Sequence, residues 1–231
     1  VPSSRTLRSA TPIERWSLLN ALGVLAATAV SLVVDATLPV IVTGGAALLL
    51  LVAQSRHKWT PDGGFGRANT VTAVRLAMVL ALPLLPASLG PAAPIGVGLV
   101  ILIADGIDGW LARHYELSSE FGEFFDKETD AFFLLVLCLM TTTSGLLSPW
   151  VVGLGLLRYL FVVALFLLQP HVGKEYRSSW ARIIYVGVVL AMLAAFLPYP
   201  AVTQPLVGLA ATALLYSFGR YTWWLWSVRH T

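Results

Sequence analysis

The 231-residue chain is 57% hydrophobic and 12% charged, with a net charge of +3 and a mean hydropathy of +0.78. Soluble domains carry about 25% charged residues, so these values exclude an ordinary soluble fold and predict an all-α integral membrane protein with several spans. The single cysteine, Cys138, lies in an apolar run, which excludes a disulfide framework and a thiolate zinc site and leaves it a packing role; nor does the small positive charge imply nucleic acid, because in a membrane protein the placement of Lys and Arg outweighs their sum.

Residues 1–17 form a polar N-terminal segment carrying Arg5, Arg8 and Arg15, expected in the cytoplasm. Within it, Thr11-Pro12-Ile13-Glu14 has the spacing of a capping box with proline at the first helical position, which predicts a helix from Pro12. The apolar stretch that follows, 18–54, is too long for one span at about 20 residues. It is interrupted at Asp35-Ala36-Thr37-Leu38-Pro39, so two helices are expected, near 17–36 and 38–54. Ala27-Thr28-Ala29 also has the form of a secretory cleavage site, and the short, glycine-bearing second helix would permit a re-entrant pair. Two retained helices are expected. Residues 55–68 form a basic cytoplasmic loop whose Gly63-Gly64-Phe65-Gly66 lacks the spacing of a phosphate cradle, so a flexible linker is expected.

Six further apolar runs follow, at about 69–89, 92–113, 119–143, 149–168, 180–198 and 202–224, making a six-helix membrane domain over 69–231 and about eight transmembrane helices in all. With the N-terminus inside, eight spans place Arg56, Lys58, Arg67, Arg113, Lys127, Lys174, Arg177, Arg182, Arg220 and Arg229 at cytoplasmic loops or span ends. The opposite loops, near 36–39, 87–94, 143–149 and 198–203, contain no Lys or Arg. This asymmetry predicts cytoplasmic termini. Tyr221, Trp223, Trp224 and Trp226 fit an interfacial aromatic belt.

One window breaks the apolar pattern. Asp105, Asp108, Asp126 and Asp130 lie within 105–130, flanked by apolar arms at 92–104 and 131–143. Each arm reaches roughly 20 Å as a helix, so Asp105 and Asp130 are expected at similar depth on the cytoplasmic side. Asp105, Asp108, Gly109 and Ala112 share one helical stripe, and Gly122, Asp126 and Asp130 share another. Each stripe sets two carboxylates beside residues with almost no side chain. A charge at the centre of a span costs roughly 2.5 to 3.5 kcal/mol, and the cations close in sequence, Arg113 and Lys127, cannot neutralise these acids together with Glu116, Glu120, Glu123 and Glu128. A divalent metal on an all-oxygen site resolves the imbalance, which points to Mg²⁺, Mn²⁺ or Ca²⁺ and away from zinc or copper.

The pattern Asp105-x-x-Asp108-Gly109-x-x-Ala112-Arg113, eight residues, then Gly122-x-x-x-Asp126-x-x-x-Asp130 resembles the signature of the CDP-alcohol phosphotransferases (CDP-alcohol phosphatidyltransferases) at every fixed position. The resemblance implies a six-helix family core, here preceded by two extra N-terminal helices about which it says nothing. It implies transfer of a substituted phosphoryl group from CDP-diacylglycerol or another CDP-alcohol to an alcohol, with release of CMP. It further implies Mg²⁺ (or Mn²⁺) as two ions, a homodimer, and a multi-pass protein of the bacterial cytoplasmic membrane, among membrane lipids and without nucleic acid. By the same resemblance Asp105, Asp108, Asp126 and Asp130 hold metal, and Asp130 is the base for the attacking hydroxyl. Gly109, Ala112 and Gly122 admit the donor nucleotide, and Arg113 holds a donor phosphate. Asn69-x-x-Thr72-x-x-Arg75 looks like a family pattern that contacts the donor, with helix capping and positive-inside flanking as the alternative.

Arg158, nine positions beyond Pro149 and so near mid-span, is a functional-site candidate by its intramembrane position. Binding of an acceptor or lipid phosphate and structural pairing with an acid both remain open for it. Lys174, Arg177 and Arg182, near His171, form a second candidate acceptor cluster in a loop that is basic by position anyway. The family holds two substrate logics, phosphatidyl transfer to a small polar alcohol and head-group transfer to a lipid alcohol. Glu123 resembles the choline and ethanolamine enzymes of the second; chain size and the basic connection favour the first. A divalent-cation transporter is the alternative of a different class, disfavoured because the outward halves of the spans are nearly free of polar groups.

Overall fold

The computed structural model describes residues 12–57, 59–60, 63–114, 119–168 and 179–228. Among these, the side chains of 12, 107–114, 168, 179, 221 and 224–228 are not described. The described chain is built from α-helices and short 3₁₀ turns, without a strand: α1 Pro12–Val34, α2 Leu38–Gln54, α3 Arg67–Ala81, α4 Ala92–His114, α5 Glu120–Thr143, α6 Val152–Leu168, α7 Ser179–Ala194 and α8 Pro200–Val228. The eight helices fall where the hydropathy pattern places them.

Local chemistry explains the ends. α1 stops at Asp35, which adopts a left-handed φ of 50° while Ala36 N–H donates to Ser31 C=O at 3.0 Å, a Schellman-type closure that aspartate tolerates better than most residues. Pro39 then sits in the first turn of α2. α3 is shorter than its apolar run because Pro83 and Pro86 convert the rest into 3₁₀ turns. Ser119 caps α5, its Oγ accepting from Gly122 N–H at 2.9 Å.

α5 is the centre of the bundle. Every residue from Phe132 to Leu139 is buried, Cys138 included, so this helix has no lipid face and must be ringed by others. It packs against α6, α3, α2, α7 and α1, while α4 bridges α3 and α7, and α8 lies on α7. The outer helices turn large apolar side chains outward, among them Val33, Leu167, Val202 and Leu209. Among the described residues three helices are long and apolar enough to cross a membrane, Ile13–Val34, Pro149–Leu167 and Pro200–Arg220, and Leu38–Gln54, Ala92–Gly106 and Trp180–Ala194 are shorter apolar helices.

α1 presents Ser17, Asn20, Ala21, Val24, Ala27, Thr28 and Ser31 inward, a small-residue stripe of the kind that lets membrane helices approach closely. It packs against α2, α6 and α5. The connection between α2 and α3, expected as a flexible linker, is instead tied down where it is described. Trp59 Nε1 donates to Val52 C=O at 2.9 Å, Thr60 Oγ1 to Gly64 C=O at 2.7 Å, and the Trp59 and Phe65 rings meet edge to face.

Candidate active site

Asp126 and Asp130, one turn apart on α5, face Asp105 on α4. One carboxylate oxygen from each of the three lies within 4.8 Å of the others. The inner ends of the two apolar arms of the acidic window thus meet at one level of the helix bundle. Asp108, Gly109, Ala112 and Arg113 also lie on α4, but their side chains are outside the described residues.

At the centre of the three acids is a cation from a helix distant in sequence. Arg75 of α3 is 1% exposed; its Nη1 donates to Asp126 Oδ1 at 2.6 Å, and its Nη2 donates to Asp130 Oδ1 and lies 3.2 Å from Asp105 Oδ1. Local charge counting missed it because it considered cations near the window. The visible signal was its place in the stripe Asn69, Thr72, Arg75, whose three members are all buried on α3. Lys127, counted as a neutraliser, pairs instead with Glu123 one turn earlier at 3.0 Å.

Asn69 and Thr72 stand about two turns and one turn before Arg75 on α3. Asn69 Nδ2 donates to Trp59 C=O at 3.0 Å and Phe65 C=O at 2.7 Å, and Thr72 Oγ1 donates to Ala68 C=O at 3.2 Å. Ser119 Oγ also donates to Trp59 C=O, at 2.6 Å. One loop carbonyl therefore ties the starts of α3 and α5 together. Gly122 permits this: a Cβ there would come within 2.7 Å of Asn69 Oδ1 and 3.1 Å of Ser119 Oγ. Gly122→Ala is expected to destabilise the protein by about 1 to 3 kcal/mol through this overpacking, read as a lowered thermal midpoint in detergent. An unchanged midpoint would show that the amide can step aside.

Arg158 on α6 meets Glu128 on α5. Its Nε and Nη2 both donate to Glu128 Oε1, at 3.0 and 2.7 Å, and Glu128 is 2% exposed. The close approach of α6 to α5 that makes this pair possible runs through Gly155, where a Cβ would meet the Leu135 backbone at 2.6 Å. Beside the pair is a cavity of about 210 Å³, whose polar lining is Lys127, Asp130, Arg158 and Tyr185. Tyr185 Oη donates to Asp130 C=O at 3.1 Å. Arg182 is exposed near the start of α7 and is not part of this lining, while His171, Lys174 and Arg177 lie outside the described residues.

The three-aspartate set is all oxygen, converges on a point that already attracts a positive charge, and contains neither His nor Cys. It suits a hard divalent cation.

Residues 65–224, more than half of the chain, match the family described as CDP-alcohol phosphatidyltransferase. The chain belongs to the CDP-alcohol phosphatidyltransferase family. It is therefore a transferase of phospholipid synthesis and a membrane protein. Over 168 residues, 63% of this chain and 86% of the relative, it is 26% identical to CDP-diacylglycerol–glycerol-3-phosphate 3-phosphatidyltransferase of Bacillus subtilis. No solved structure matches it. In this phosphatidyltransferase the family match takes in α3 to α8 up to residue 224 and leaves α1 and α2 outside.

Proposed function

We propose that this enzyme transfers the phosphatidyl group of CDP-diacylglycerol to a small, phosphorylated polar alcohol, with glycerol 3-phosphate as the first candidate, and releases CMP. The observation that carries this reading is the cavity beside Asp130. Within a lining that is otherwise apolar apart from Tyr185, it sets two cations, Lys127 and Arg158, next to the carboxylate that would receive the proton. A diacylglycerol acceptor carries no charge for these cations to meet. The Bacillus subtilis relative, whose name specifies glycerol 3-phosphate, agrees.

Asp105, Asp108, Asp126 and Asp130 would hold two Mg²⁺ or Mn²⁺ ions. Bound there, divalent metal supplies charge stabilisation on the donor diphosphate as phosphorus changes partners. The acceptor hydroxyl oxygen forms the new bond to the phosphatidyl phosphorus, the bond from that phosphorus to the CMP oxygen breaks, and the hydroxyl proton passes to the Asp130 carboxylate. Arg158 and Lys127 hold the acceptor phosphate through charge-assisted hydrogen bonds. Gly109, Ala112, Arg113, Gly122, Asn69 and Thr72 form the donor side, around the starts of α3 and α5 and the end of α4. Eight spans with cytoplasmic termini, in a bacterial cytoplasmic membrane, put this site on the side where the basic loops cluster.

An acceptor panel tests the substrate assignment. Purified enzyme with Mg²⁺ and CDP-diacylglycerol is offered glycerol 3-phosphate, an inositol phosphate or serine, and CMP release is measured. A parallel arm supplies CDP-choline or CDP-ethanolamine with diacylglycerol. CMP from a phosphorylated acceptor is expected; CMP from serine alone, or from the parallel arm alone, overturns the assignment.

A further inference from the structure

We propose that the N-terminal helix α1 is part of the acceptor side of the site, with Asn20 as a positioning residue that fixes Arg158 through Glu128. The inference rests on the reading of Arg158 as an acceptor-phosphate ligand and goes beyond it, because α1 lies outside the matched residues 65–224.

The chain of contacts is continuous. Asn20 Nδ2 donates to Glu128 Oε2 at 3.3 Å. Glu128 Oε1 accepts both Arg158 bonds, and Arg158 lines the cavity with Asp130. Glu128 thus divides its oxygens, one for the arginine on α6 and one for the asparagine on α1. Because Nε and Nη2 share a single oxygen, the remaining guanidinium N–H groups stay available to a ligand in the cavity. A carboxylate held at one oxygen alone could rotate about its terminal torsion, which is a broad one, and carry the guanidinium with it. The Asn20 bond opposes that rotation.

Asn20 is itself poorly served by this arrangement. It is buried, and its Oδ1 has no hydrogen-bond partner. Neighbouring positions on the same stripe carry the buried apolar residues Ala21, Val24 and Ala27 and the small buried hydroxyls of Ser17, Thr28 and Ser31, so Asn20 is the one amide among them. A leucine or alanine would leave no half-satisfied amide inside the bundle. Stability of α1 is thus a weak reason for an amide here, and the contact with Glu128 is a specific one. Helix α1 is held in place independently, by Trp16 Nε1 donating to Ala47 C=O at 3.0 Å and by the edge-to-face contact of Trp16 with Phe124, so the bond to Glu128 is not its only anchor.

The test compares Asn20→Leu, Arg158→Ala and the double variant in full-length enzyme, with steady-state kinetics for CDP-diacylglycerol and glycerol 3-phosphate and thermal unfolding of each. In Asn20→Leu the acceptor KM is expected to rise about five- to tenfold, as for a weakened hydrogen bond to a charged group, with donor KM and kcat close to wild type. In the Arg158→Ala background the same substitution is expected to be silent, since the residue it positions is gone. An unchanged acceptor KM in Asn20→Leu beside a raised one in Arg158→Ala overturns the role of Asn20 and leaves the acceptor site standing. Loss of kcat in proportion to lost thermal stability, with KM unmoved, assigns Asn20 to folding alone and also overturns it. An acceptor KM unmoved in Arg158→Ala, or no turnover of phosphorylated acceptors by wild type, overturns the acceptor-site reading and this inference with it.

Discussion

Asp130→Asn is expected to lower turnover by about 10²- to 10⁴-fold, the range attributable to a positioned general base, while binding of the CDP-linked donor survives. The asparagine keeps the shape of the side chain and its acceptor toward Arg75, whose Nη2 donates to Asp130, but it cannot take a proton from the acceptor hydroxyl. Asp130 alone among the three clustered aspartates lines the cavity beside Arg158, which sets it apart from Asp105 and Asp126. Turnover is measured as CMP release and donor affinity by titration with CDP-diacylglycerol in detergent. Retained turnover would remove Asp130 from the role of base.

Arg75→Gln has the second large effect, and it acts on stability as well as rate. The guanidinium is buried among Asp105, Asp126 and Asp130. Removing one partner from a buried ionic cluster leaves uncompensated charge and costs about 3 to 5 kcal/mol. The thermal midpoint in detergent without divalent metal is expected to fall. Added Mg²⁺ is then expected to raise the midpoint more in the variant than in wild type, because the metal meets carboxylates with no competing cation. Equal Mg²⁺ shifts in the two proteins would mean that Arg75 and the metal do not share the same carboxylates.

Much of the fold was legible because bilayer-length helices announce themselves through hydropathy and their breaks through Pro, Asp and polar clusters. Asp35 and Ser119 end or begin helices for reasons that a sequence states directly, while Thr11 of the expected capping box lies outside the described residues. The aspartates were legible as well, since phase along α4 and α5 places them on stripes. What the sequence concealed were partners between helices. Arg75 neutralises acids more than 50 positions away on α5, a pairing with no local signature, and Arg158 finds Glu128 across 30 positions. Phase did hold a clue to the second. Glu128, two residues from both Asp126 and Asp130, points to roughly the opposite face of α5 at 3.6 residues per turn, and so could not belong to their cluster. The loop glycines misled for a different reason, since composition signals backbone freedom but not the hydrogen bonds that remove it at Trp59 and Thr60.

Phosphatidyl transfer by the carboxylate site on α4 and α5 is expected to require a divalent metal. The direct measurement is product formation by purified enzyme in liposomes containing CDP-diacylglycerol, supplied with glycerol 3-phosphate, in Mg²⁺ and in EDTA. Equimolar CMP and phosphatidylglycerol phosphate in Mg²⁺, with neither in EDTA, is the predicted result. No CMP from any CDP-alcohol and acceptor in Mg²⁺, together with divalent-cation flux into the same liposomes, would contradict it.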